Sequence, residues 1–188
     1  KDASSAFGAA KGEDSLYNDA TWAVTYVDSH DYGPDGQEKT RYQGGASAWA
    51  ENMDLMFTFR GIPCIYYGSE IEFKKDVPID VGPNAPLDKT GRAYFGDHLE
   101  GSVTADDYGK YTASGAVAST LDAPLSKHLE KLNQIRRAVP ALQKGQYTTD
   151  SNYVDGNMAY IRRYTNSSVD SLACVTISGD ATFKGLPN

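Results

Sequence analysis

The sequence predicts an α/β protein that passes, toward its C-terminal end, into an antiparallel β segment. Three observations carry this reading. A strand, an amphipathic helix and a second strand follow one another between residues 22 and 68; a second amphipathic helix covers residues 125–139; and two strands joined by a short polar turn lie beyond residue 157. Strand, helix and strand at this spacing form a crossover unit, which joins parallel neighbours.

In order along the chain, residues 1–20 carry no hydrophobic period and read as loop. Residues 22–27 are rich in β-branched and aromatic side chains, which predicts a buried strand in a parallel sheet covered on both faces. A polar Gly/Pro/Asp loop follows over residues 32–45. Trp49, Met53, Met56 and Phe57 then fall on one face of a helix, with Gly61 as its stop signal and Pro63 barring continuation. The second strand is predicted over residues 62–67. Residues 69–121 are long, polar and rich in Asp, Gly and Tyr, a length expected in a compact domain only where the loop has a function. Leu125, Leu129, Leu132, Ile135 and Val139 mark the second helix, ended before Pro140. Beyond the Asp155-Gly156 turn, strands are predicted over residues 158–164 and 172–177, with Asn166-Ser167-Ser168 between them.

Composition bounds the function. With 40% hydrophobic and 23% charged residues the chain has the balance of a folded globular protein. No apolar run approaches the roughly 20 residues of a membrane-spanning helix. A net charge of −7 without any Lys/Arg cluster leaves no electrostatic footprint for nucleic acid. The 13 tyrosines against 6 phenylalanines suit sugar rings, and equally suit ordinary packing. Cys64 and Cys174 sit in strand-like segments and are expected to be small buried hydrophobes rather than a disulfide. No signal peptide is visible, and the opening on Lys1 in a polar Ala/Ser/Gly stretch predicts a segment of a longer precursor.

The sharpest chemical signal is Asp28-Ser29-His30-Asp31, directly after the first strand. Strand ends of this kind are where α/β enzymes place their chemistry. Three readings are open on the tetrapeptide alone: metal ligation by the carboxylates with His30, capping of the following turn, or acid, base or electrostatic work at a sugar. Glu70, ending the second strand, faces a cleft or caps a loop; His98 and His128 read as surface or helix residues.

The flanking segments add specificity. Tyr26-Val27-Asp28-Ser29-His30-Asp31, then a helix, then Gly61-Ile62-Pro63-Cys64-Ile65-Tyr66-Tyr67-Gly68-Ser69-Glu70 resembles the last quarter of an α-amylase family barrel. The first segment is similar to the family's F-V-D-N-H-D region on the seventh strand, the second to its G-[IV]-P-x-I-Y-Y-G-[TS]-E eighth strand. The helix ending in Arg136-Arg137-Ala138-Val139-Pro140-Ala141-Leu142 resembles the eighth helix, which leads into an antiparallel C-terminal domain. The resemblance covers residues 22–177, weakly in the middle loop, and departs from the pattern at Ser29 and Cys64. It implies the C-terminal part of a (β/α)8 TIM barrel over residues 1–142, then the start of an antiparallel β-sandwich domain over 143–188.

The resemblance further implies retaining hydrolysis of α-1,4-glucosidic bonds in starch and related α-glucans by a secreted or cell-surface enzyme. Asp31 maps onto the family's third, transition-state-stabilising carboxylate, and His30 onto the histidine that bonds the same sugar ring. Asp28 reads as structural. Asp88-Lys89-Thr90-Gly91-Arg92-Ala93 resembles a D-x-x-x-R-A element that grips a donor-side glucose, which makes Asp88 and Arg92 substrate-binding candidates. No segment resembles the nucleophile or general-acid regions, so the chain is expected to need the missing N-terminal part of the barrel and to be inactive alone. No metal ligand set or cofactor motif is legible; calcium in a full-length parent is implied by the resemblance only. Two alternatives stand beside hydrolysis, an α-glucanotransferase of the cyclodextrin-forming or disproportionating type and a non-catalytic glycan-binding protein. A metal-dependent barrel hydrolase is a more distant reading.

Overall fold

A computed structural model describes residues 3–31, 40–79, 81–107 and 109–187. The two helices read from the apolar period are present. α2 (Ala46–Thr58) buries Trp49, Met53, Met56 and Phe57, and α4 (Pro124–Ala138) buries Leu125, Leu129 and Leu132. Pro140 ends α4 and opens α5 (Pro140–Lys144), where its missing N–H falls at a position that has no intrahelical partner anyway. The chain divides into two compact units, one of residues Lys1–Thr25, Glu51–Pro63 and Ile135–Asn188, the other of Tyr26–Ala50 and Cys64–Gln134.

The first unit opens with α1 (Ala3–Gly12), in a segment read from the sequence as loop. Ala3, Ala6, Phe7 and Ala10 form one stripe on it, packed with Leu55, Phe59, Met158 and Tyr160. Phe7 is the only large apolar residue in that stripe, so the period is carried by alanines and is easily missed. β1 (Val24–Thr25) and β2 (Ile62–Pro63) pair in parallel, in the register Val24 to Ile62, as the crossover unit predicts. Each is two residues long, shorter than the six expected. Trp22, Val24 and Ile62 are exposed rather than buried, because no further strand flanks this pair among the described residues. Gly61 makes the helix-to-strand corner at φ +107°, where an added Cβ would come within 2.6 Å of the Ala23 carbonyl oxygen.

The antiparallel part of this unit is a three-stranded sheet in the order β5 (Gln146–Thr148), β7 (Ala159–Thr165), β8 (Asp170–Thr176), beside a β6 (Val154–Asp155) and β9 (Thr182–Phe183) pair. Asn166 closes the predicted turn, its Oδ1 accepting from the amides of Ser168 and Val169. Both cysteines are free, as expected, yet both are exposed: Cys174 lies on β8, an edge strand, and Cys64 follows the two-residue β2.

Two arginines cap the C-terminal end of α2. Arg136 donates to the carbonyls of Phe57 and Gly61, both at 2.8 Å. Arg162, fully buried on β7, donates to Thr58 O at 2.8 Å, to Phe59 O, and twice to Gly145 O. Helix C-terminal carbonyls have no intrahelical partners and carry partial negative charge, so a guanidinium suits them. Burial pulls Arg162 down to about 10 from its usual value.

The second unit is built from turns around an aromatic cluster of Tyr67, Phe73, Phe95 and His98. Within the long polar segment lie a hairpin, β3 (Gly101–Asp107) with β4 (Lys110–Gly115), and the helix α3 (Ala116–Asp122). Substituting Arg162→Met keeps the bulk but strands the carbonyls of Thr58, Phe59 and Gly145. Urea unfolding is expected to register a loss of roughly 2–4 kcal/mol.

Candidate active site

Asp28 and Asp31 lie in the second unit, just past the end of β1, and their surroundings separate their roles. Asp28 is buried and meets three donors: Arg41 Nε at 2.8 Å and Ser69 Oγ at 3.2 Å on Oδ2, and its neighbour's amide, Ser29 N, at 3.1 Å on Oδ1. Burial pushes its carboxyl up from the ordinary value, and the Arg41 guanidinium, the Ser69 hydroxyl and the Ser29 amide oppose that push. With three donors aimed at two oxygens, Asp28 is tied into the interior of the unit rather than turned to solvent.

Arg41 is the other half of this anchor and is 1% exposed. Its Nη1 donates to Gly91 O at 3.1 Å, and its Nη2 to Tyr67 O at 2.9 Å and Ser69 Oγ at 3.3 Å. The guanidinium lies over the Tyr66 ring, 4.5 Å from its centroid. One planar fork thus ties the segment after β1, the segment after β2 and the loop around Gly91. Gly91 has to be glycine, since a Cβ there would meet Arg41 Cγ at 2.7 Å. Trp49 closes the arrangement, donating from Nε1 to Ser69 O at 2.7 Å and stacking on Tyr42. Residues 32–39 of the predicted loop lie outside the described residues.

The consequence appears one and three residues away. Asp31, three residues past Asp28, and Arg92, next to Gly91, are brought together. Arg92 Nη2 lies 3.6 Å from Asp31 Oδ1, and Arg92 Nε donates to His30 O at 2.8 Å. His30 Nε2 is 3.4 Å from Asp31 Oδ2, and Asp31 N donates to Ser29 Oγ at 3.1 Å. Asp31 and His30 remain open to solvent, at 59% and 70% side-chain exposure. An anion, an imidazole and a guanidinium side by side and wet can each bond a hydroxyl-bearing ligand.

Asp88 is not part of this group. It is exposed and its carboxylate pairs with Lys89 at 3.4 Å, while its backbone carbonyl accepts from Lys74. The Leu87–Lys89 turn ends in an extended Thr90, and Arg92 N bonds Thr90 Oγ1, which carries Arg92 to Asp31 and leaves Asp88 behind. Arg92 therefore lies at Asp31, and Asp88 lies at Lys89. Sequence reasoning missed Arg41 and the role of Ser69. A single Arg between polar residues carries no pattern, because burial of a charge is decided by partners distant in the chain.

Among the described residues no group of three His, Cys, Asp or Glu side chains gathers as a metal site.

No family model matches the sequence. Over 184 residues it is 28% identical to the α-amylase of Streptomyces lividans, covering 87% of this chain. It spans about a fifth of that relative's length, 19%. Among solved structures, an Anoxybacillus α-amylase aligns with 92% of this chain and 30% of its own, at 15% identity and a TM-score of 0.49. The γ-CGTase of alkalophilic Bacillus clarkii aligns with 83% of this chain and 18% of its own, at 17% identity and a TM-score of 0.47.

Substituting Asp28→Asn leaves Arg41 buried without its counter-charge. Urea unfolding followed by tryptophan fluorescence is expected to show a loss of about 3–5 kcal/mol, much of it regained when Arg41→Met is added.

Proposed function

We propose that this chain is the C-terminal portion of an α-glucan-acting glycoside hydrolase, an endo-acting α-amylase that is secreted and degrades starch. The observation that carries the reading is the 28% identity to an α-amylase over 184 residues, within which Asp31, His30 and Arg92 converge on one exposed spot. On this reading residues 1–142 complete a (β/α)8 barrel and residues 143–188 begin an antiparallel β-sandwich domain. A barrel of that kind takes about 250 residues.

The chemistry proposed for the site is retaining cleavage of an α-1,4-glucosidic bond. One carboxylate attacks the anomeric carbon and a second, as acid, protonates the departing oxygen; water then releases the sugar from the first. Neither of those two groups is assigned to this chain. Asp31 takes a third role, accepting hydrogen bonds from ring hydroxyls whose polarity grows as positive charge develops on the sugar. Interactions of this sort, stronger in the transition state than in the ground state, raise kcat. His30 donates to the same ring. Arg92, 3.6 Å from Asp31 and bonded to the His30 carbonyl, orients the pair and offers donors to an adjacent sugar. Asp88 serves a neighbouring glucose from the loop.

In an enzyme that contains this chain, Asp31→Asn should reduce kcat/KM on soluble starch by two orders of magnitude or more, about 3 kcal/mol, with the circular dichroism spectrum unchanged. An unaltered kcat/KM would remove Asp31 from the reaction. The isolated 188-residue chain should release no reducing sugar. Product analysis on amylose by the full enzyme separates hydrolysis from transfer, since cyclic or disproportionated products would assign a transferase.

A further inference from the structure

Arg92 reaches Asp31 from a segment whose backbone is held on both sides of it. On the near side, the Gly91 carbonyl accepts from Arg41 Nη1 at 3.1 Å, and Gly91 N donates to the Pro78 carbonyl at 2.8 Å. On the far side, the Ala93 carbonyl accepts from the Tyr67 hydroxyl at 3.0 Å. Gly91, Ala93 and Phe95 are buried, whereas Arg92 is half-buried and Tyr94 exposed. The segment therefore turns alternate residues inward, and the inward ones are those that are tied down.

Tyr67 is itself fixed at both ends. Its ring packs against Tyr66, Phe73 and Phe95, with centroids at 4.5, 6.2 and 5.7 Å. Its backbone carbonyl accepts from Arg41 Nη2 at 2.9 Å. A side chain already immobilised by packing loses little further freedom when it donates a hydrogen bond. Packing alone would be served equally well by phenylalanine. The hydroxyl adds one directional bond, and that bond falls on the residue next to Arg92. The long Arg92 side chain has to place Nε at 2.8 Å from the His30 carbonyl and Nη2 at 3.6 Å from Asp31 Oδ1. Such contacts weaken steeply with small displacements of the backbone that carries them.

We propose that Tyr67 is a positioning residue for Arg92: its hydroxyl, through the Ala93 carbonyl, sets the backbone from which Arg92 reaches His30 and Asp31. The inference rests on the reading above in which Arg92 orients that pair and bonds an adjacent sugar. Arg41 and Tyr67 thus divide the work, one holding the residue before Arg92 and the other the residue after it.

The test is Tyr67→Phe, which keeps the ring and removes only the hydroxyl. In the 188-residue chain, the Arg92 Nε–H should exchange with solvent about fivefold faster, the worth of one neutral hydrogen bond. The Gly91 amide, on the Arg41 side, should keep its protection. An unchanged Nε–H rate would overturn the proposal. So would an equal loss at Gly91, because general loosening of the segment would then explain both. In an enzyme that contains this chain, the same substitution should lower kcat/KM on soluble starch by about fivefold, and by nothing further once Arg92→Ala is present. An equal loss in both backgrounds would show that Tyr67 acts elsewhere, and would also overturn the proposal. Faster Nε–H exchange with kcat/KM unaltered would uphold Tyr67 as the residue that positions Arg92 and remove Arg92 from the reaction, so the two readings fail separately.

Discussion

The arrangement at Asp31 depends on one buried ion pair, Asp28 with Arg41. Burying two charges is unfavourable unless each is fully hydrogen-bonded. Here that condition is met on both sides. Asp28 takes donors from Arg41, Ser69 and Ser29, and every nitrogen of the Arg41 fork donates within the unit. The pair's value lies in its geometry more than in net stability, since an apolar pair of equal volume would pack without the desolvation cost. What an apolar pair could not do is fix direction. Arg41 grips a residue three before Asp31 and a carbonyl one before Arg92, so a single planar group sets the spacing between two charged side chains 61 positions apart in sequence.

The same economy of means recurs in the first unit. Arg136 and Arg162 supply donors to the carbonyls at the end of α2, and Arg60 ties Asp14 and the Ala10 carbonyl near the end of α1. Tyr147 donates to the other oxygen of Asp14. In each case a guanidinium reaches backbone oxygens at or just past a helix C-terminus, and its planarity holds the ends of separate elements in register. Fold and candidate site thus use one device, an arginine donating to carbonyls across long sequence separations.

What was legible in the sequence follows from where the determining partners lie. α2 and α4 announce themselves because large apolar side chains repeat at helical spacing within a few turns, a local signal. β7 and β8 were legible from their β-branched and aromatic content and from the Asn166 turn. α1 was not, because its buried stripe is alanine with one Phe. β3 and β4 were not, because β3 is exposed along its whole length and β4 half-buries only Tyr111 and Ala113. β1 and β2 were legible in existence and direction but not in length, since a strand lasts only as far as it has a ladder to join. At the site, Asp31 and His30 stood out as charged residues at a strand end. Arg92 was found through a loop motif that does not show its pairing with Asp31, and Arg41 left no trace. Its burial is dictated by Asp28, Ser69, Tyr67 and Gly91, none of which is near it in the chain.

The most direct measurement is amide hydrogen exchange on the wild-type chain and on Arg41→Lys, which keeps the charge and loses the fork. If Arg41 holds the site together, the amides of Ser29, Arg41 and Gly91 should lose protection together, by tenfold or more. The β7–β8 ladder around Ile161 and Cys174 should be unaffected. Full protection retained at Ser29 and Gly91 in Arg41→Lys would contradict the account, because Asp31 and Arg92 would then be placed by something other than the Asp28–Arg41 pair.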